Sequence, residues 1–356
     1  MSNFNPDWVS PPGQTLKDLV LDSEKSLIEF SKFIKCNVTF LKRLFSGDEV
    51  IDRELAGELE KATGAPKSFW LEREKQYRES LIRLKEKEIL EQEWLSNIPF
   101  SEMAKLGWVN KLSSKKDKVI ECLKFFNVIS VDHWKMKYES MILNTAFRKS
   151  QSFSSKSESV AAWLRQGEIL SEKEDINSFD KEKLKQNIQN IRSLCNIESK
   201  DIFVFELKRI FALCGISFHI LKAPKGCSAS GATYWVNNRP IILLSMRYLS
   251  DDHFWFTLFH EIGHIILHDN YSLIIESSDI EESVIEREAN EFSERTLIPI
   301  KYKSEFKNLR SNELRKIIKF SKKIGISKGI VVGQLQNKKI IPNNHLNKLK
   351  VRYKWG

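Results

Sequence analysis

Residues 251–268 read DDHFWFTLFHEIGHIILH, and no other stretch constrains the fold as much. Its periodicity predicts a helix over about 252–268. Apolar residues lie on nearly all sides of that helix, so it belongs inside a layered domain and not on a surface. Phe254, Trp255, Phe256 and Phe259 read as core packing. His260, Glu261 and His264 are not what a buried helix needs for packing, and they ask for a chemical reason.

The flanking sequence supplies the layers. IFVFELKRIFALCG predicts a helix ending at Gly215, and ISFHILKA reads as a strand. PKGCSASGA is a loop. TYWVNNRPIILLSM reads as a hairpin turning at Asn237-Asn238. Another helix is expected over about 279–296. Residues 200–300 should therefore form a small sheet packed against helices.

Upstream, PGQTLKDLVL, SLIEFSKFI, VTFLKRLF and DRELAGELEKATG show helical spacing, with Gly47 and Gly64 where helices should stop. KSFWLEREKQYRESLIRLKEKEILEQEWL continues as one long charged helix. SQSFSSKSES at 150–159 is a predicted loop. The expected class is α+β and mostly helical: an all-α domain at 1–80, a helical middle region at 81–199, the α+β domain at 200–300, and a basic helical extension at 301–356.

Composition narrows the setting. A chain of 356 residues has room for two or three domains. It has no apolar run of the ~18 residues a membrane span needs. The opening MSNFNPDWVSPPGQ lacks the basic and apolar parts of a signal peptide. The five cysteines are odd in number and scattered, without CxxC, which fits reduced thiols in a cytoplasm. Net charge is +10, yet residues 301–356 hold sixteen Lys/Arg and two Glu, so residues 1–300 are slightly acidic, 41 basic against 45 acidic. A basic segment of that density suits phosphates or an acidic partner, or is a solvated helical face.

Positions i and i+4 of a helix lie one above the other, so His260 and His264 can aim both imidazoles at one ion. Zinc accepts His nitrogens at about 2.0–2.1 Å and, in catalytic sites, keeps three protein ligands and one open position. Glu261, beside the first histidine, can take a proton from water that the ion activates. The H-E-x-x-H pattern arises by chance on the order of 1% of the time in such a chain, so a third ligand is required. VIEREANEFSERTLIP offers Glu286, Glu288 and Glu291. Glu286 and Asn290 are spaced i, i+4. Glu286 is assigned as ligand, and Asn290 as the group that holds His260 by its other ring nitrogen. Glu288, about 200° around the helix, is the runner-up. His268 is read as a helix-terminal histidine, with ligation as its rival role. His253 is expected at the helix start and His219 in a strand as a structural residue. Cys227, in the loop, could reach the metal only as a thiolate.

HFWFTLFHEIGHIILH, with EREANEFSERTLIP after it, resembles the ImmA/IrrE family of zinc metallo-endopeptidases. GATYWVNNRPIILLSMRY resembles the family's hairpin, and KKIGISKGIVVGQLQ resembles the segment beyond the peptidase core in its long members. The resemblance implies a zincin-like domain with Zn2+ on His260, His264 and Glu286 and with Glu261 as base. In zincins an extended peptide pairs with a strand edge near the active helix, which would fall on Thr233–Val236 or Ile241–Ser245. The family also implies cleavage of helix-turn-helix repressors.

PPGQTLKDLV…SLIEFSKFIKCNVTFLKRLFSGDEVIDRELAGELEKATGAPKSFW resembles an Xre-type helix-turn-helix, nearest the HigA branch of antitoxin regulators. The recognition helix would be about 37–45. It would present Asn37, Thr39 and Phe40 to bases, with Lys42 and Arg43 nearer phosphates. Leu27, Ser31 and Lys35 depart from the usual glutamine, small apolar residue and turn glycine. A non-glycine turn costs energy if its φ is positive.

The combined expectation is a cytoplasmic zinc endopeptidase fused to a DNA-binding regulator. Its partners would be double-stranded operator DNA and a protein substrate: a helix-turn-helix repressor, a partner regulator or the chain itself. The alternative is a transcriptional regulator or antitoxin, with a toxin partner, whose zincin fold is a sensor or scaffold. A homodimer fits either, and no membrane partner is expected.

Overall fold

The computed structural model describes residues 8–23, 25–139, 146–147, 156–268 and 284–354. The chain divides into two compact units, Met1–Glu93 and Trp94–Gly356.

The first unit is helical. It comprises α1 (Pro12–Asp22), α2 (Leu27–Phe33), α3 (Val38–Ser46), α4 (Arg53–Thr63) and most of α5 (Lys67–Asn97). Short side chains start three of these helices. Ser26 and Glu29 form a reciprocal capping box on α2, Asn37 Oδ1 accepts from Phe40 N, and Asp52 Oδ1 accepts from Leu55 N. Gly47 and Gly64 end α3 and α4 in the left-handed region, as the sequence predicted. Leu16, Phe30, Leu41, Leu44, Leu59 and Trp70 form the centre of the core. The turn between α2 and α3 passes through Lys35 at φ 56°, a conformation that suits glycine. Ser31 is buried and satisfied, its hydroxyl donating to Ile28 O at 2.9 Å.

The second unit opens with α6 (Phe100–Lys105), α7 (Lys115–Phe126) and α8 (Val131–Trp134). These bury a cluster of Trp94, Phe126, Trp134 and Tyr138. A two-residue strand β1 (Ala146–Phe147) precedes α9 (Ser157–Ser171), α10 (Lys181–Ser193) and α11 (Lys200–Leu213). Of the predicted loop at 150–159, residues 150–155 lie outside the described residues, and Ser157 already begins α9.

Then come β2 (Ser217–Ile220), β3 (Gly231–Val236) and β4 (Arg239–Leu244), the long helix α12 (Asp251–Leu267) and α13 (Val284–Leu297). The part of the helix predicted at 279–283 lies outside the described residues. The sheet order is β1-β3-β4-β2, with β4 antiparallel to β3 and parallel to β2. Asn237 and Asn238, at φ 50° and 62°, make the two-residue turn between β3 and β4.

Both faces of the sheet are covered, which explains the uninterrupted apolar run of β4. Ile241 and Leu243 pack with Val160, Trp163 and Leu164 of α9. Ile242 and Leu244 join the larger core around α12. That core extends through α15 (Leu314–Ile324) and α16 (Lys328–Asn337), which contribute Ile317, Phe320, Ile330 and Leu335. A short helix, α14 (Lys303–Lys307), connects α13 to α15 and contributes Phe306. The class is α+β and mostly helical, as expected. No helix among the described residues is long and apolar enough to cross a membrane.

Distant groups hold α12 in place. Asp251 accepts from the Ser327 hydroxyl at the start of α16, and from Val351 N at 3.1 Å. Asp252 pairs with Lys350 at 2.7 Å, both side chains nearly buried. Gly329 and Gly333 of α16 lie directly under these two carboxylates; a Cβ on either would collide with them.

Candidate metal centre

His260, Glu261 and His264 are fully buried on α12. The two histidines lie one turn apart, with Nε2 atoms 3.0 Å apart and rings nearly perpendicular, at 86°. Glu286 reaches them from α13: its Oε2 is 3.1 Å from His260 Nε2 and its Oε1 is 3.5 Å from His264 Nε2. Donors on a tetrahedral ion with bonds of 2.0–2.1 Å stand about 3.3 Å apart. The spacing of the three groups fits such an ion, and among the described residues they are the set whose donor atoms converge this way.

The donors have the right chemistry. Burial, and then the neighbouring His260, hold His264 far below the usual imidazole range, at about 3, so it is neutral and can offer a lone pair. His260 Nδ1 lies 3.0 Å from Asn290 Oδ1. That contact places the proton on Nδ1 and leaves Nε2 as the coordinating atom.

The close approach of α12 and α13 brings Glu286 into range. Gly263 faces Ala289, where an added Cβ would come within 3.2 Å of the Ala289 Cα. The Ser293 hydroxyl also donates to Phe256 O at 2.9 Å, fastening the second turn of contact.

Glu261 is held from the sheet. Its Oε2 accepts from Thr233 Oγ1 at 2.8 Å, and a Cβ at Gly231 would come within 2.5 Å of its Oε1. Gly231 and Thr233 are two apart in β3 and therefore share the face toward α12. Sequence reading gave neither residue a role at the carboxylate. The alternation in GATYWV was the one signal, but it does not say which face meets the helix.

The rival ligands fall elsewhere. His268 and Glu288 pair with each other, 3.0 Å apart, and Glu291 pairs with Arg295. His253 stacks on Tyr248 at the start of α12. His219 is buried against Ser217 and Glu174. Burial pushes the Cys227 thiol up to about 11, away from the thiolate a metal would need.

One expectation requires correction. Ile241–Ser245 cannot serve as a peptide-binding edge, because β4 runs between β3 and β2. On its side away from β4, β3 pairs with β1 at Ala232 and Thr233, and among the described residues the stretch from Tyr234 to Val236 has no strand partner on that side.

In the first unit, Asn37, Thr39, Lys42 and Arg43 are exposed on α3, and Phe40 is half-buried. Asn37 Oδ1 is engaged as the cap of α3, and Arg43 pairs with Glu49 at 2.9 Å. Thr39 and Lys42 present their side chains outward.

Residues 216–335 match the family model of the IrrE N-terminal-like domain, peptidase family M78. No curated protein and no solved structure matches the chain. The second unit therefore carries an IrrE N-terminal-like metallopeptidase domain with a candidate site of the H-E-x-x-H type, completed by Glu286.

Proposed function

We propose that this protein is a zinc-dependent endopeptidase joined to a DNA-binding regulator, and that it cleaves a regulatory protein. The observation that carries the reading is the convergence of His260, His264 and Glu286 at tetrahedral spacing, next to a carboxylate held by Thr233. When bound, zinc supplies Lewis-acid polarisation of a carbonyl and acidifies water.

The remaining work falls to this chain's residues. His260, His264 and Glu286 hold the ion, and Asn290 keeps His260 in the coordinating tautomer. Glu261 accepts a proton as water oxygen adds to the scissile carbonyl carbon. It then returns that proton to the departing nitrogen as the C–N bond breaks, which leaves a carboxyl and an amine terminus. Thr233 fixes the Glu261 carboxylate for both transfers, and the extended peptide pairs with the Tyr234–Val236 part of β3, beyond the positions β1 occupies.

In the first unit, α2 and α3 act as a helix-turn-helix. Thr39, Phe40 and Asn37 face bases, and Lys42 and Arg43 face phosphates. The resemblance of that segment to antitoxin regulators supports operator DNA as a partner, and a helix-turn-helix regulator, the chain itself included, as substrate.

The test is metal content followed by turnover. The purified protein should bind about one zinc. Glu261→Gln should keep the metal and lose cleavage of its target by a factor of about 10² or more, compared in cell extract by mass spectrometry. Protein that takes up no zinc at neutral pH would end this reading. For the first unit, a salt-sensitive shift of promoter DNA should be lost in Arg43→Ala.

A further inference from the structure

A cleft of about 950 Å³ opens beside the metal centre, between α13, α14 and α16. Asn290 and Phe256 form its near end, each in contact with or stacked against His260. Its floor is apolar: Phe256, Ile298 and Phe306 are buried there.

Five cations and two carboxylates line the walls. Glu291 is taken by Arg295 and Glu294 by Lys338. Arg287, Lys303 and Lys307 are left without an ion pair among the described residues. A second feature points to a ligand. Gln334 of α16 is only 5% exposed, and the small part of it that is open faces the cleft. Its carboxamide can donate to and accept from a backbone group that enters the cleft.

An apolar floor, three uncompensated cations and an amide open to the cleft, next to a metal centre, describe one kind of occupant. We infer that this cleft binds an acidic, amphipathic stretch of the polypeptide substrate on one side of the scissile bond. Apolar side chains would rest on Phe256, Ile298 and Phe306. Carboxylates would meet Arg287, Lys303 and Lys307, and a backbone group would bond to Gln334. The inference rests on the peptidase reading above and narrows its substrate class.

The test separates binding from hydrolysis. Full-length, zinc-loaded Glu261→Gln is titrated with three fluorescein-labelled peptides. They share their apolar residues and carry Glu, Gln or Lys at the polar positions. The Glu peptide should bind at least tenfold more tightly than the Gln peptide, and the Lys peptide most weakly. The double variant Lys303→Glu, Lys307→Glu should reverse that order, and Gln334→Leu should weaken the Glu peptide with no change in metal content. Equal binding of the Glu and Gln peptides, or a preference that survives the charge reversal, overturns the inference. It is equally overturned if single-stranded DNA of matching charge binds in a manner abolished by the double variant while the Glu peptide does not bind.

Wild-type protein is then given a peptide pool and the cut sites are read by mass spectrometry. Acidic residues enriched on one side of the cut support the inference, and cutting without that enrichment refutes it. No cutting at all, with the binding preference intact, would count against the peptidase reading alone.

Discussion

The helices α2–α4 of the first unit and the histidine-bearing α12 of the second are fixed by contacts of different range. In the first, α2, α3 and α4 are set by their neighbours in sequence: Ser26 with Glu29, Asn37 three residues before Phe40, Asp52 three before Leu55, and Gly47 and Gly64 at the ends of the last two. In the second, α12 begins without such a cap. Its first turn is held by Ser327, Lys350 and Val351, all from the C-terminal part of the chain. Arg192 of α10 makes a similar long-range link, donating to Thr296 O, Leu297 O and Ile324 O at 2.7, 3.0 and 2.7 Å. Local caps can hold a small helical unit. A metal centre drawn from two helices needs its frame fixed from a distance.

This contrast can be broken first at Asp252. Asp252→Ala leaves the Lys350 ammonium buried without its carboxylate and should destabilise the second unit by about 3–5 kcal/mol. Urea unfolding gives the size of the loss. Hydrogen exchange, read peptide by peptide, should place it in the second unit, with α1–α4 unchanged.

A pH titration provides the next effect. Burial raises Asp251 to about 6, partly offset by the Ser327 hydrogen bond. Between about pH 4 and 6 the folded protein therefore keeps a proton that the unfolded chain has released. Stability from this group is present below that window and is lost as pH rises through it, by about 3 kcal/mol in all. Asp251→Asn should flatten that slope in stability measured across pH 4 to 7.

The two smaller effects concern the first unit. Asp52→Ala removes the cap of α4 and should cost about 1 kcal/mol, confined to α1–α4. Lys35→Gly should stabilise by about 0.5–1 kcal/mol, since it relieves the positive φ of the turn and sacrifices only an exposed ion pair with Glu58. Denaturant midpoints measure both changes. If either moved the second unit equally, the distinction between local and distant contacts would fail.

The same contrast governs what could be read beforehand. The helices of the first unit, the Asn237-Asn238 turn and the pairing of His260 and His264 depend on spacings within a few residues, and they appear where the sequence placed them. Glu286 was within reach because a carboxylate and Asn290 recur at helical spacing after the histidines. Gly231 and Thr233 were missed because strand alternation leaves the choice of face open. Strand order decides that β4 is interior, and strand order is not written in a hairpin's sequence. The fit of Gly329 and Gly333 beneath Asp251 and Asp252 likewise joins positions far apart in the chain, with no local pattern to announce it.

The anchoring of Asp251 and Asp252 also bears on biosynthesis. A growing polypeptide that has reached only the end of α16 already owns both ligand-bearing helices, yet it lacks Lys350 and Val351, which seat the first of them. These anchors can therefore form only after the ribosome has passed beyond α16, so the frame of the centre is completed later in synthesis than its ligands are made.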